Sequence, residues 1–249
     1  MNYFAGWYAI FVREMLLFRR KFFKFSYLFS SMVTPLIYLV TFGFGLGRSV
    51  SVSGTDYLSF LIPGLVAMSS MNNSYNWVAS ALNLNRLYHK TFQVFIQAPI
   101  TSAGIMVGEV LAGMVKGLFA SVLVIIVGLV GAPKFHLSAL FVLTLLLNCF
   151  MFACLGVAVG MLAKTHEDTS TYSNFFITPM AFFSGTFFPL DKMPDLLRYL
   201  IYCMPLTHTN ILIRKTSLDT QALVSLGVIV VLALVFFIWG SRLIRAYNE

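Results

Sequence analysis

Glu109 and Lys116, in GEVLAGMVKG, are the charges set most clearly inside apolar sequence, so they are the first candidates for chemistry. Seven residues apart, they share one helical face but lie about 10 Å apart along the axis, too far to pair within one helix. Charges at membrane depth are costly and face the protein interior or a pathway. The roles that stay open are snorkelling of Glu109 to the cytoplasmic end, a structural pair with another helix, or part of a transport route. The second polar constellation is SSMNNSYNW, where Ser69, Asn73, Asn76 and Ser80 follow helical spacing and Asn72 lies beside them. In lipid such amides must find partners or water, so they join helices or line a path.

Enzymatic signatures are scarce. The string GVAVGMLAKT, from Gly156 to Thr165, puts its lysine four residues after the second glycine, so it forms no phosphate-cradling loop. The histidines, His89, His136, His166 and His208, lack metal-ligand spacing, and the nine acidic residues give no Ser/His/Asp set. Cys149, Cys154 and Cys203 are an odd number and two lie in apolar runs, against a disulfide framework or metal set. No catalytic residue, metal or cofactor is expected in this chain.

The elements that hold these residues follow from composition. Of 249 residues 59% are hydrophobic and 10% charged, mean hydropathy is +0.84 and net charge is +8. That describes an all-α integral membrane protein, read as one domain over residues 1–249. Runs of about 20 apolar residues predict six transmembrane helices near 26–47, 57–81, 103–131, 138–163, 171–189 and 221–241. On that layout ten Lys and Arg fall on the side of the termini, including Arg13, Arg19, Arg20, Lys21 and Lys24. Six fall opposite: Arg48, Lys134, Lys192, Arg198, Arg214 and Lys215. This bias predicts cytoplasmic termini, and basic residues at span ends suit an anionic leaflet rather than nucleic acid.

Three segments are too polar or too short to cross. In residues 1–25, Phe4, Tyr8, Phe11, Met15, Phe18 and Phe22 share a face opposite Arg13, Arg20 and Lys24, predicting an interfacial amphipathic helix, ring side down. Residues 83–100, with Leu84, Leu87, Phe92, Phe95 and Ile96 in helical register, predict a cytoplasmic amphipathic helix that meets lipid or a protein. In FFSGTFFPLDKMP, an apolar run is cut by Gly185 and Pro189. Asp191, Pro194 and the face Leu196, Leu197, Leu200, Ile201 and Met204 predict a short helix after the break, with another near Asn210–Leu212. Irregular backbone at membrane depth must be buried in protein or face a cavity, which makes residues 185–215 an outer re-entrant segment or a surface loop.

FLIPGLVAMS at 60–69, APITSAGIMVGEVL at 98–111 and, most specifically, FFSGTFFPLDKMPDLLRYLIYCMPLTH at 182–208 resemble the permease subunit of ABC type-two exporters. The resemblance covers nearly the whole chain. It implies a re-entrant helical hairpin between spans five and six, forming an outer gate and the roof of the path. It also implies a homodimer with two copies of a separate ATP-binding cassette ATPase, which would hold the ATP and magnesium, in a bacterial inner (cytoplasmic) membrane. Carried onto this sequence, Arg86, Tyr88, His89, Lys90, Phe92 and Phe95 would form the main coupling helix. Thr165, His166, Glu167 and Asp168 would make a second ATPase contact. The path and gate would draw on Asn72, Asn73, Asn76, Glu109, Lys116, Phe183, Gly185, Phe187, Phe188 and Pro189. The branch implied handles lipid-linked glycans, lipooligosaccharides, drugs or polyketides, an amphiphilic cargo. Two other classes stay open on the residues alone: an ion-coupled carrier using Glu109 and Lys116, and a membrane-embedded transferase.

Overall fold

The structure is a computed structural model, described for residues 6–22, 33–45, 51–52, 55–131 and 137–247. Expectations resting on Phe4, Lys24, Arg48, Lys134 and His136 lie outside those residues. Helices dominate: α1 Gly6–Phe22, α2 Val33–Gly43, α3 Tyr57–Leu87, α4 Thr91–Gln97, α5 Ser102–Gly131 and α6 Ala139–Leu162. They continue as α7 His166–Tyr172, α8 Thr178–Phe183, α9 Asp195–Tyr202, α10 Pro205–Ile213 and α11 Thr220–Arg245. A two-residue antiparallel ribbon, β1 Ser51–Val52 with β2 Thr55–Asp56, precedes α3.

Among the described residues, three helices are long and apolar enough to cross a membrane: Ser102–Leu129 in α5, Ala139–Leu162 and Thr220–Arg245. α3 is longer still, 31 residues or about 46 Å, but carries the serine and asparagine cluster. The fifth predicted span begins earlier than expected. The chain is helical from His166 through a π-helical turn, Ser173–Ile177, to Phe183, where it stops. The capping box of Thr165 and Asp168 explains the early start: Asp168 accepts from the Thr165 amide at 3.0 Å while Thr165 Oγ1 accepts from the Asp168 amide at 3.1 Å.

α3 lies at the centre, packed along α5 and α6, with α11 against α6 and α1 against α5. Small residues set these distances. A Cβ on Gly156 would fall 2.8 Å from the Tyr75 carbonyl oxygen, and one on Gly160 3.0 Å from that of Ala79. On α5, Gly113 and Gly117 meet Val78 and Ser74 of α3, and Gly104 and Gly108 meet Trp7 and Ile10 of α1. All three G-x-x-x-G pairs thus serve packing within the chain, where close backbone approach supplies the dispersion that lipid does not. Asn148 of α6 fastens the centre: its Nδ2 donates to Ala67 O at 3.1 Å and Ser70 Oγ at 2.6 Å, and its Oδ1 accepts from Thr209 of α10 at 2.8 Å.

Two expectations are corrected here. The 83–100 segment is not one helix: α3 continues to Leu87, the chain turns through Lys90 at φ 50°, and α4 begins at Thr91. The predicted ring face of α1 is also not the face turned fully outward. Ile10 and Glu14 are buried against α5, Phe18 packs edge-on to Trp77 and Phe119, and Tyr8 stays exposed.

Candidate functional site: an amide cavity, a tethered turn and a polar end

The amide cluster of α3 faces a cavity of about 450 Å³. Thr34, Pro35 and Tyr38 of α2, Ser69, Asn72, Asn73, Asn76 and Trp77 of α3, and Thr178, Ala181 and Phe182 of α8 are among its lining. Asn73 Nδ2 donates to Ser69 O at 2.9 Å, and Asn76 Oδ1 accepts from Ser173 Oγ at 2.9 Å. The second bond joins α3 to the π-helical turn. Sharing Thr178 and Phe182 with this cavity is an apolar groove of about 460 Å³ lined by Phe42, Phe183, Phe187, Phe188, Met193 and Leu197. Polar space and aromatic space are therefore adjacent, a surface matched to a molecule with both kinds of part.

The break after α8 is a built turn. Gly185 has φ 76°, in the left-handed region, and a Cβ there would press 3.1 Å from the Leu190 side chain. Around it, Arg214 donates to Gly185 O at 2.9 Å, Thr186 O at 3.2 Å and Phe60 O at 3.2 Å. The Arg214 guanidinium lies 3.8 Å over the Phe60 ring. Asn210 Nδ2 donates to Ser184 O at 2.8 Å, and the Tyr57 hydroxyl to Phe187 O at 3.0 Å. The carbonyls freed by breaking the helix are thus met by side chains of α3 and α10 and by Arg214. Phe183 and Phe188 are half-exposed, whereas Phe187 is buried among Tyr38, Phe42 and Phe182, and Pro189 precedes a 3-10 turn, Leu190–Lys192.

At the far end of α3 the side chains sort differently from the sequence pattern. Phe92 is 0% exposed, packed edge-on to Phe95 and Tyr247. Arg86 is 5% exposed, bonded to Ala163 O and 5.7 Å from the Tyr247 ring centroid. Asn83 donates to Ala163 O and Thr165 O, both at 3.2 Å. Tyr88, at 64%, is exposed with His89, Lys90, Val94 and Ile96. Exposed too are Thr165, His166 and Glu167, beside which the Asp168 carboxyl is held below its ordinary range by amide bonds from Lys164 and Thr165.

Glu109 and Lys116 do not meet. Lys116 Nζ donates to Glu14 Oε2 of α1 at 2.9 Å and lies 5.5 Å over the Trp77 ring. Glu109 is buried, and its Oε1 has no hydrogen-bond partner among the described residues. Glu14, 2% exposed, also accepts from Arg13 Nη1 at 2.9 Å, while Arg13 Nη2 reaches Asn85 Oδ1 and Thr91 Oγ1, both at 3.1 Å. Sequence reasoning missed Glu14, Asn85, Asn148 and the anchoring use of Arg214. The available signal was a polar side chain alone in an apolar stretch, as in LLLNCFMF or FVREMLL.

Comparison with known proteins places this architecture. The profile described as ABC-2 type transporter matches residues 6–218. The chain is 29% identical over 219 residues to the inner membrane transport permease YadH of Escherichia coli, covering 86% of this chain and 85% of that one. It is 30% identical over 216 residues to nodulation protein J of Sinorhizobium fredii, covering 86% and 82%. With nodulation protein J of Bradyrhizobium diazoefficiens it shares 29% identity over 248 residues, 96% of this chain and 93% of that one.

Proposed function

Because the chain belongs to the ABC-2 type transporter family, we propose that it is the permease subunit of an exporter that moves an amphiphile through the bilayer, driven by a separate ATPase chain. The observation that carries this reading is the junction of the asparagine cavity with the aromatic groove through Thr178 and Phe182. A headgroup can exchange water for the amides of Asn72, Asn73 and Asn76 while an apolar tail lies on Phe42, Phe183 and Phe188. In the working assembly two permeases face one another and two ATPases sit at the α4 end, in an inner membrane. Six spans, α2, α3, α5, α6, the α7–α8 helix and α11, leave both termini cytoplasmic, and α9–α10 dip back from the outer side.

The ATPase contact is assigned to what is exposed: Tyr88, His89, Lys90, Val94 and Ile96, with residues 165–168 beside them. Phe92 and Arg86 serve as the inner anchors of that surface. An ion-coupled carrier is disfavoured because Lys116 is already neutralised by Glu14. ATP binding by the partner pair would press on α4, and α3 would carry the displacement to the Gly185 turn.

The test is co-expression of this chain with a candidate ATP-binding cassette ATPase in vesicles loaded with a fluorescent amphiphile. Export is expected to need nucleotide and an intact phosphate-binding loop in the partner. Replacing Asn72, Asn73 and Asn76 with leucine should abolish export while leaving co-purification intact. Transport by the permease alone, or wild-type export by the triple leucine variant, would overturn the reading.

A further inference from the structure

A second polar cavity, which shares Trp77 with the amide cavity, lies between α1, α3, α4 and α5. It is about 450 Å³ in volume, the size of a small-ligand pocket. Its polar wall holds Arg13, Glu14, Lys116, Asn85, Thr91 and His89; its apolar wall is made by Leu17, Phe18, Trp77, Ala81 and Leu84. We propose that this cavity binds the phosphate group of a phosphate-bearing lipid.

The wall has more donors than acceptors. Lys116 has three N–H groups and Glu14 accepts from one. Arg13 donates to Asn85 Oδ1 at 3.1 Å, which fixes the amide's orientation and leaves Nδ2 as the free end. That Nδ2 is buried with no partner, on a residue only 6% exposed. An unpaired buried donor costs free energy, so the site is complete only when an acceptor enters. Thr91 Oγ1 already accepts from Arg13, so its hydroxyl hydrogen is left to donate.

Charge selects the kind of acceptor. Glu14 is bonded by both Arg13 and Lys116, so two cations and one carboxylate leave the wall one positive charge in excess. Glu109 lies within electrostatic reach of Arg13, Glu14 and Lys116 but is not part of the lining. A phosphate offers several charged oxygens, acceptors for the Lys116 ammonium and for the Asn85 amide. The neighbouring face of Phe18, Trp77, Ala81 and Leu84 accepts hydrocarbon, which selects a lipid over a free ion. Such a site would bind its ligand whether or not the bundle exports anything.

Trp77 provides the readout, and because it lines both cavities, variants at Asn85 and Ala81 assign the change to this one. The full-length chain, purified with its accompanying subunits, would carry Trp7→Phe and Trp239→Phe so that Trp77 is its only tryptophan. It would be titrated with dioctanoyl phosphatidic acid, dioctanoylglycerol and inorganic phosphate. A saturable change with phosphatidic acid, absent with dioctanoylglycerol, is expected. Full reproduction of that change by inorganic phosphate at similar concentration would overturn the lipid assignment. Asn85→Asp keeps an oxygen for Arg13 but removes the donor and adds charge, and should weaken binding at least tenfold. Ala81→Phe fills the cavity without touching the ion cluster; it should have the same effect and serves if the first variant does not fold. Equal responses to phosphatidic acid and dioctanoylglycerol, or undiminished binding by a folded variant of either kind, would refute the site.

Discussion

Replacing Lys116 with methionine tests whether α1 is part of the bundle. The substitution leaves Glu14 at 2% exposure with one cation, Arg13, whose side chain is 28% exposed. Removing one member of a buried pair costs about 3–5 kcal/mol, because the remaining charge stays desolvated. Arg13 places the expected loss at the low end, about 3 kcal/mol. For a chain of this size each kcal/mol moves the midpoint by about 2–4 °C, so a fall of about 6–12 °C follows. Glu14→Gln with Lys116→Met removes both charges and should recover most of the loss, short of the Trp77 contact. The assay is thermal unfolding in detergent, followed by size-exclusion fluorescence, for the two single variants and the double. A Lys116→Met variant as stable as the parent, or a double variant whose loss equals the sum of the singles, would refute the idea that Glu14 and Lys116 stabilise the fold as a pair.

Other variants separate folding from function. Gly185→Leu should lose export and about 1–2 kcal/mol of stability from left-handed strain, with Gly185→Asn milder on both; transport assays and thermal unfolding check this. Phe92→Asp buries a carboxylate and should stop the chain accumulating, whereas Tyr88→Ala with Val94→Asp should leave it folded but lose the ATPase on co-purification. Gly156→Leu should separate α3 from α6 and abolish assembly of the bundle, visible as loss of the monodisperse peak. Because the Asp168 carboxyl is held below its ordinary range, its stabilisation is full above the unfolded value, about pH 4. It is lost as pH falls through the folded value, so amide exchange at the start of α7 should rise only in acid.

Much of the layout was legible because hydropathy reports burial in either lipid or protein. The ends of α5, α6 and α11 fall close to the apolar runs, and the two short helices after Gly185 follow the prolines that start them. Which face of a polar segment turns inward was not legible. Period put Phe92 on an amphipathic face and the family resemblance put it with Arg86 in the coupling surface, but the left-handed residue at Lys90 rotates α4 so that Phe92 meets Tyr247 at the other end of the chain. Glu14 looked like one acid among basic residues, because its partner lies 102 positions away. The asparagines were recognisable as polar residues in need of company, but only the placing of α2 and α8 against them makes a cavity rather than a seam.

α3 is gripped at both tips. One end is bonded through Asn83 and Arg86 to the 163–165 linker, and the other, through Phe60 and Tyr57, to Arg214 and the turn at Gly185. A continuous helix resists compression far better than the loops it joins. Axial travel applied at one tip would therefore reach the other through the helix backbone, and stroke length would set how far the turn shifts.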